Sequence, residues 1–150
     1  MIKTKNYVLI IFLIFISACG YEPLNKSLPE SNIKISKKTF SGDNRINRKL
    51  FKKINLKETK DELGYELKLN SNKMIDQVAK DKSGNVTKYE TTITIVVELI
   101  ENEKTVKKRS FSKNFNYSNL SNKFELKKYQ EDVEINLINS IARDIKIFLN

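Results

Sequence analysis

Cys19 is the only thiol in a chain of 150 residues, and there is no His to activate it. His is the commonest general base near neutral pH, so its absence removes most nucleophilic and acid–base schemes. No Ser lies in a nucleophile-elbow pattern. The glycines Gly20, Gly42, Gly64 and Gly84 are scattered, and none builds a phosphate loop. Asp81-Lys-Ser-Gly-Asn85 has the opening of a calcium loop but lacks the later Glu, and it fits a hairpin turn better. The carboxylates Glu131/Asp132 and Asp61/Glu62 are chain neighbours on polar stretches. An acid–base pair needs two groups whose environments push their pKa values apart, and nothing marks such a pocket. The residues therefore read as a non-enzyme with no catalytic group, metal site or bound cofactor. What remains is covalent chemistry at Cys19 and electrostatics.

The electrostatics are one-sided. Lys and Arg number 28 against 18 Asp and Glu, a formal charge of +10. Such a chain attracts nucleic acid, acidic lipids or phosphorylated glycolipids. The same composition also follows from a coding bias towards A and T, because Lys, Asn and Ile are all abundant. Only Arg45, Arg48, Arg109 and Arg143 are Arg. The rest are Lys, a hydrated point charge without the bidentate fork. The densest group beside a turn is Lys104, Lys107, Lys108 and Arg109.

The setting of Cys19 resolves its role. Lys3 and Lys5 precede an apolar run from Tyr7 to Ile16, and Ser17-Ala18 are small. This is the layout of a secretory signal. A membrane-spanning helix needs about 20 apolar residues, and this run is half that. Ile16-Ser17-Ala18-Cys19 resembles the lipobox of bacterial lipoprotein precursors. That resemblance implies cleavage before Cys19, a diacylglyceryl group on its sulfur and an acyl chain on its new amino terminus. Several buried chains anchor a protein stably where one is marginal. With one Cys, no disulfide can form within the chain. The expected organisation is a signal peptide over 1–18, a lipidated tether over 19–31 containing both prolines, and one domain over 32–150. Losing Lys3 and Lys5 leaves a charge of +8. Export also removes nucleic acid as a partner. An Asp after the Cys often retains lipoproteins at the inner membrane; Gly20 stands there instead, which favours the outer membrane.

Periodicity predicts the elements that follow. Residues 32–40 read as a short strand and 41–43 as a turn, with Asp43 or Asn44 capping the next helix. Over 44–56, Ile46, Leu50 and Ile54 form one helical stripe, broadened by Phe51. The rest of that surface is basic. It suits an acidic membrane, but thirteen residues bury too little alone, so a core-facing helix with a solvated Lys face is expected. Residues 64–79 alternate through Tyr65, Leu67 and Leu69, with a bend expected near Asn70–Asn72. A hairpin turn covers 80–85. Residues 86–100 keep a strict period of two, and a second turn covers 101–104. Over 105–117, Arg109, Phe111, Lys113, Phe115 and Tyr117 share one face. From Glu125 to Leu149, spacings of three and four through Leu126, Tyr129, Val133, Leu137, Ile141, Ile145 and Phe148 predict one long helix. The order β-α-β-β-β-α gives an α+β fold, a four-stranded, mostly antiparallel sheet with both helices on one face.

The ordered combination is similar to the lipopolysaccharide-assembly lipoprotein LptE family, of the type found in alphaproteobacteria. The residues that carry the similarity are Cys19-Gly20-Tyr21-x-Pro23-Leu24, the helix over 44–55, and "DELGYELKL". The hairpin "VTKYETTITIVVELIE…KTVKKRSFSKNFNYS" and the terminal helix "YQEDVEINLINSIARDI" complete it. Many members have an Ala-rich run where this chain has Glu131-Asp132-Val133. The resemblance implies a protein lipid-anchored on the periplasmic side of the outer membrane. It would plug and help assemble an LptD-type β-barrel and assist lipopolysaccharide insertion at the cell surface. Lys104, Lys107, Lys108 and Arg109 are expected lipopolysaccharide contacts on charge alone; a solvated edge kept soluble by Lys is the reading preferred over it. The alternative function is a stand-alone lipoprotein that binds acidic lipid or cell-wall polymer.

Overall fold

The computed structural model describes residues 33–60 and 64–150. Cys19, the expected signal peptide, the tether and the Asp61/Glu62 pair lie outside these residues. The described elements are β1 (Lys34–Gly42), α1 (Asn44–Ile54), β2 (Lys57–Glu58), β3 (Tyr65–Lys80), β4 (Val86–Glu101), β5 (Lys104–Ser118) and α2 (Lys123–Leu149). They form one α+β domain, a five-stranded sheet in the order β2-β1-β3-β4-β5. The expected four strands gain a fifth, β2, whose two residues are too few to carry an alternation. The sheet is mixed. β3, β4 and β5 make the antiparallel meander, while β1 runs parallel to both β3 and β2. A parallel neighbour needs a crossover, and α1 lies on it.

Side-chain caps delimit the helices. Asp43 accepts from the backbone N–H of Arg45 at 2.9 Å and of Ile46 at 3.1 Å, as expected of an N-cap. Asn55 ends α1 in the left-handed region at φ 55°. Asn122 caps α2 through Phe124 and Glu125. The predicted stripe of α1 is buried at Ile46, Leu50 and Ile54, and that of α2 at Val133, Leu137, Ile138, Ile141, Ala142 and Ile145. Both pack on one face of the sheet, against Leu67, Leu69, Ile93, Ile95, Val97 and Leu99. Farther along, Tyr117 stacks on Tyr89, meets Tyr129 of α2 edge-on, and exchanges a 3.0 Å hydroxyl bond with Thr91.

The turns follow the expected chemistry. Asn102 and Glu103 both have positive φ, the two-residue connection whose twist matches that of a hairpin. Asp81 accepts from the N–H groups of Ser83 and Asn85, so its carboxylate closes the β3–β4 turn. The bend expected at Asn70–Asn72 is displaced. The β3–β4 register runs without a shift from Glu66 to Gln77, and the irregularities fall at Gln77–Lys80. What changes at Ser71 is the neighbour on the other side, since β1 ends there. The N–H of Asp43 donates to the Ser71 carbonyl, and the Ser71 hydroxyl donates to that of Asp43. Gly42 makes this junction possible. Its φ is +73°, and a Cβ there would run into the Ser71 carbonyl oxygen. Gly42→Ala is therefore expected to cost about 2 kcal/mol, read as a lower urea midpoint with an unchanged m value.

Candidate functional site

The sheet has two unlike faces, because side chains alternate along every strand. One carries the core under the helices. The other is left uncovered by both helices and presents Asn70 and Asn72 from β3, Thr92 and Thr94 from β4, and Ser110, Ser112 and Asn114 from β5. Thr94 and Ser112 exchange a hydroxyl bond at 2.9 Å, and Asn114 donates to Glu90 at 2.7 Å. Ion pairs border this neutral centre on the side of the β4–β5 turn. Lys37 meets Glu66 at 3.3 Å, and Lys108 meets Glu98 at 3.5 Å. The strands of the meander are 15 and 16 residues long, so the face extends for roughly 50 Å. Val96, Ile100 and Met74, the last 51% exposed, also lie on this face, but hydroxyl, amide and charged groups outnumber them, so the surface suits polar, wet contact rather than burial in lipid.

The structure does not bring the four predicted cations onto one face. Lys107 points to the helix side, where its ammonium donates to the carbonyls of Phe148 at 3.1 Å and Leu149 at 2.9 Å. It thereby satisfies the last turn of α2 and complements the negative end of that helix. Arg109 shares that side, with its guanidinium 5.2 Å from the Phe148 ring centre. Lys108 lies on the opposite face with Glu98, and Lys104 is exposed beside the β4–β5 turn. A strand separates chain neighbours by face, so a run of cations there becomes two groups.

The strongest convergence of charge involves a residue that sequence reasoning missed. Glu134 of α2 has 0% relative exposure. Three cations from two other elements surround it. Arg45 and Lys49 of α1 donate at 2.8 and 2.9 Å, and Lys73 of β3 donates at 2.7 Å. Burial alone would push the Glu134 carboxyl up. The bonds from Lys73 and Lys49, with their charges, overcome that and hold it below the usual carboxylate range. The signal was present in part, because Glu134 sits on the α2 stripe that continues through Ile138, Ile141 and Ile145. The arrangement clamps α1, α2 and β3 together. Among the described residues, no group of three His, Cys, Asp or Glu side chains is placed to hold a metal.

No family model and no curated protein matches the chain. Solved structures do. Rare lipoprotein B from Shewanella oneidensis superposes with a TM-score of 0.59 at 14% identity, over 75% of this chain and 89% of that one. A minor lipoprotein from Acinetobacter baumannii gives 0.60 at 11%, over 75% and 87%. Lipoprotein B from Nitrosomonas europaea gives 0.59 at 13%, over 77% and 83%. At such identities the likeness establishes architecture: this chain has the fold of these bacterial lipoproteins.

Proposed function

We propose that the chain is a lipoprotein of the LptE kind, lipid-anchored through Cys19 at the periplasmic side of the outer membrane. There it fills the lumen of an LptD-type β-barrel, helps that barrel assemble and assists lipopolysaccharide insertion. It acts as a rigid binding partner and not as an enzyme. The observation that carries this reading is the long polar sheet face uncovered by helices, since a barrel lumen is itself polar and wet. The lipobox residues and the shared fold support it.

Dimensions constrain the partner. Four full strands about 4.8 Å apart, with a helical layer about 10 Å away, give a cross-section whose diagonal is roughly 30 Å including side chains. Admitting it needs a barrel of about 20 strands or more. The test is co-purification. The tagged chain, extracted from its own cells in mild detergent, is expected to bring down a large β-barrel whose gel mobility changes on heating. Recovery of the lipidated chain without any such barrel would refute the plug reading.

A further inference from the structure

The α1–α2 groove has features that the barrel reading does not use. Helix α1 carries Arg45, Arg48, Lys49, Lys52 and Lys53 in eleven residues and contains no acid. Glu134 pairs with two of them, Arg45 and Lys49. Among the described residues Arg48, Lys52 and Lys53 have no ion pair, and all three are exposed. Glu131, one turn before Ile135 on α2, forms no ion pair with them among the described residues either.

Two clefts meet along this helix. One, of about 310 Å³, is lined by Asn44, Arg45, Arg48, Lys49 and Lys52. The other, of about 300 Å³, lies between the helices and is lined by Lys49, Lys52 and Lys53 from α1 with Ile135, Ile138 and Asn139 from α2. Lys49 and Lys52 border both, so the clefts are neighbours that share these two side chains. Each is at the small end of the range for ligand sites. Ile135 leaves 42% of its surface exposed there, above the buried Ile138. One half is therefore cationic and the other apolar, with Lys stems that can cover a chain while their ammonium groups stay in water.

We propose that this groove binds an amphiphile bearing a phosphate group. Arg45, Arg48 and Lys52 hold the phosphate, and the first part of the chain lies over Ile135 and Ile138. Arg supplies the planar fork that matches phosphate oxygens, and Lys adds point charge. Arg45 keeps donors to spare, because Glu134 engages one of its two terminal nitrogens in hydrogen bonding. The site rests on the lipid-handling half of the proposed function and is independent of the barrel half.

The test is calorimetric titration of the full lipidated chain, in uncharged detergent, with dihexanoyl phosphatidic acid. Dihexanoyl phosphatidylcholine and inorganic phosphate serve as separate probes. Phosphatidic acid is expected to bind at least about tenfold more tightly than either. Arg48→Gln combined with Lys52→Gln should weaken it by about tenfold or more, with unchanged thermal unfolding, since both side chains are exposed and unpaired. Ile135→Ser should weaken phosphatidic acid severalfold and leave inorganic phosphate unaffected. Undiminished phosphatidic acid binding by the double variant would overturn the site. So would phosphatidylcholine or inorganic phosphate binding as tightly as phosphatidic acid. Barrel co-purification is read on the wild-type chain, so failure of the site and failure of the plug reading are separate results.

Discussion

Glu134→Ala is expected to destabilise the domain by about 3 kcal/mol, which lowers Tm by roughly 10 °C for a domain of this size. Removing one member of a buried ion cluster leaves its partners without compensation, and here three cations face the vacated site. The cost is set at the lower end of the usual range because Arg45 and Lys49 have side chains 55% and 40% exposed and can turn towards water. Lys73, at 22%, has less freedom. Packing is lost as well, since α1, α2 and β3 all meet at this carboxylate. Glu134→Gln separates charge from shape. The carboxyl is held below its ordinary value in the folded state. Its contribution is therefore complete above the unfolded value of about 4.3 and is lost as pH falls through the folded value. Urea unfolding of wild type and Glu134→Gln at pH 7, 5 and 3 should show a stability gap at pH 7 and 5 that narrows by pH 3. A gap that stays constant across this range would mean that the carboxylate's charge does not hold the helices.

The second large effect concerns anchoring. Cys19→Ser is expected to abolish fatty-acid labelling and to move the protein from the membrane to the soluble fraction once its signal is removed. Each buried methylene contributes about 0.8 kcal/mol, so three acyl chains make release negligible and their loss makes it complete. Metabolic labelling followed by membrane sedimentation reads both. A label that persists on Cys19→Ser would sink the assignment. The geometry fixes the end of the domain that the proposed anchor would join. Ile35 pairs with Tyr65 at the start of β3, so the chain enters the domain at the end that holds the β4–β5 turn. The β3–β4 turn at Asp81–Gly84 lies at the other end, roughly 50 Å along the strands.

Much of the architecture was legible because burial imposes a period. Ile93, Ile95, Val97 and Leu99 alternate under the helices, and Ile141, Ile145 and their neighbours repeat at helical spacing, so element types followed from pattern alone. Partners in space did not. Nothing in the alternation of 32–40 states that β1 runs parallel to β3. Nor could two residues, Lys57 and Glu58, announce a strand. The cations of β5 were adjacent in the chain and so looked like one site, yet the strand's period of two sends Lys107 and Lys108 to opposite faces. Glu134 presents the converse. It lies on an apolar stripe where a charge looks misplaced, and its partners Arg45, Lys49 and Lys73 come from distant positions that only the folded chain brings within 3 Å. Charge clusters depend on tertiary geometry, whereas core faces are written in local periodicity.

In the proposed complex the helix-free sheet face meets the wall of a β-barrel, a contact that photocrosslinking from single positions detects. A benzophenone side chain at Ser112, on that face, should crosslink in living cells to a large, heat-modifiable outer-membrane barrel. The same probe at Ile147, an exposed position on α2, supplies the comparison from the helix side. A barrel adduct from Ser112 stronger than that from Ile147 is the predicted result. Absence of any barrel adduct from Ser112 in a chain that is lipidated and folded would rule out this face as the barrel contact.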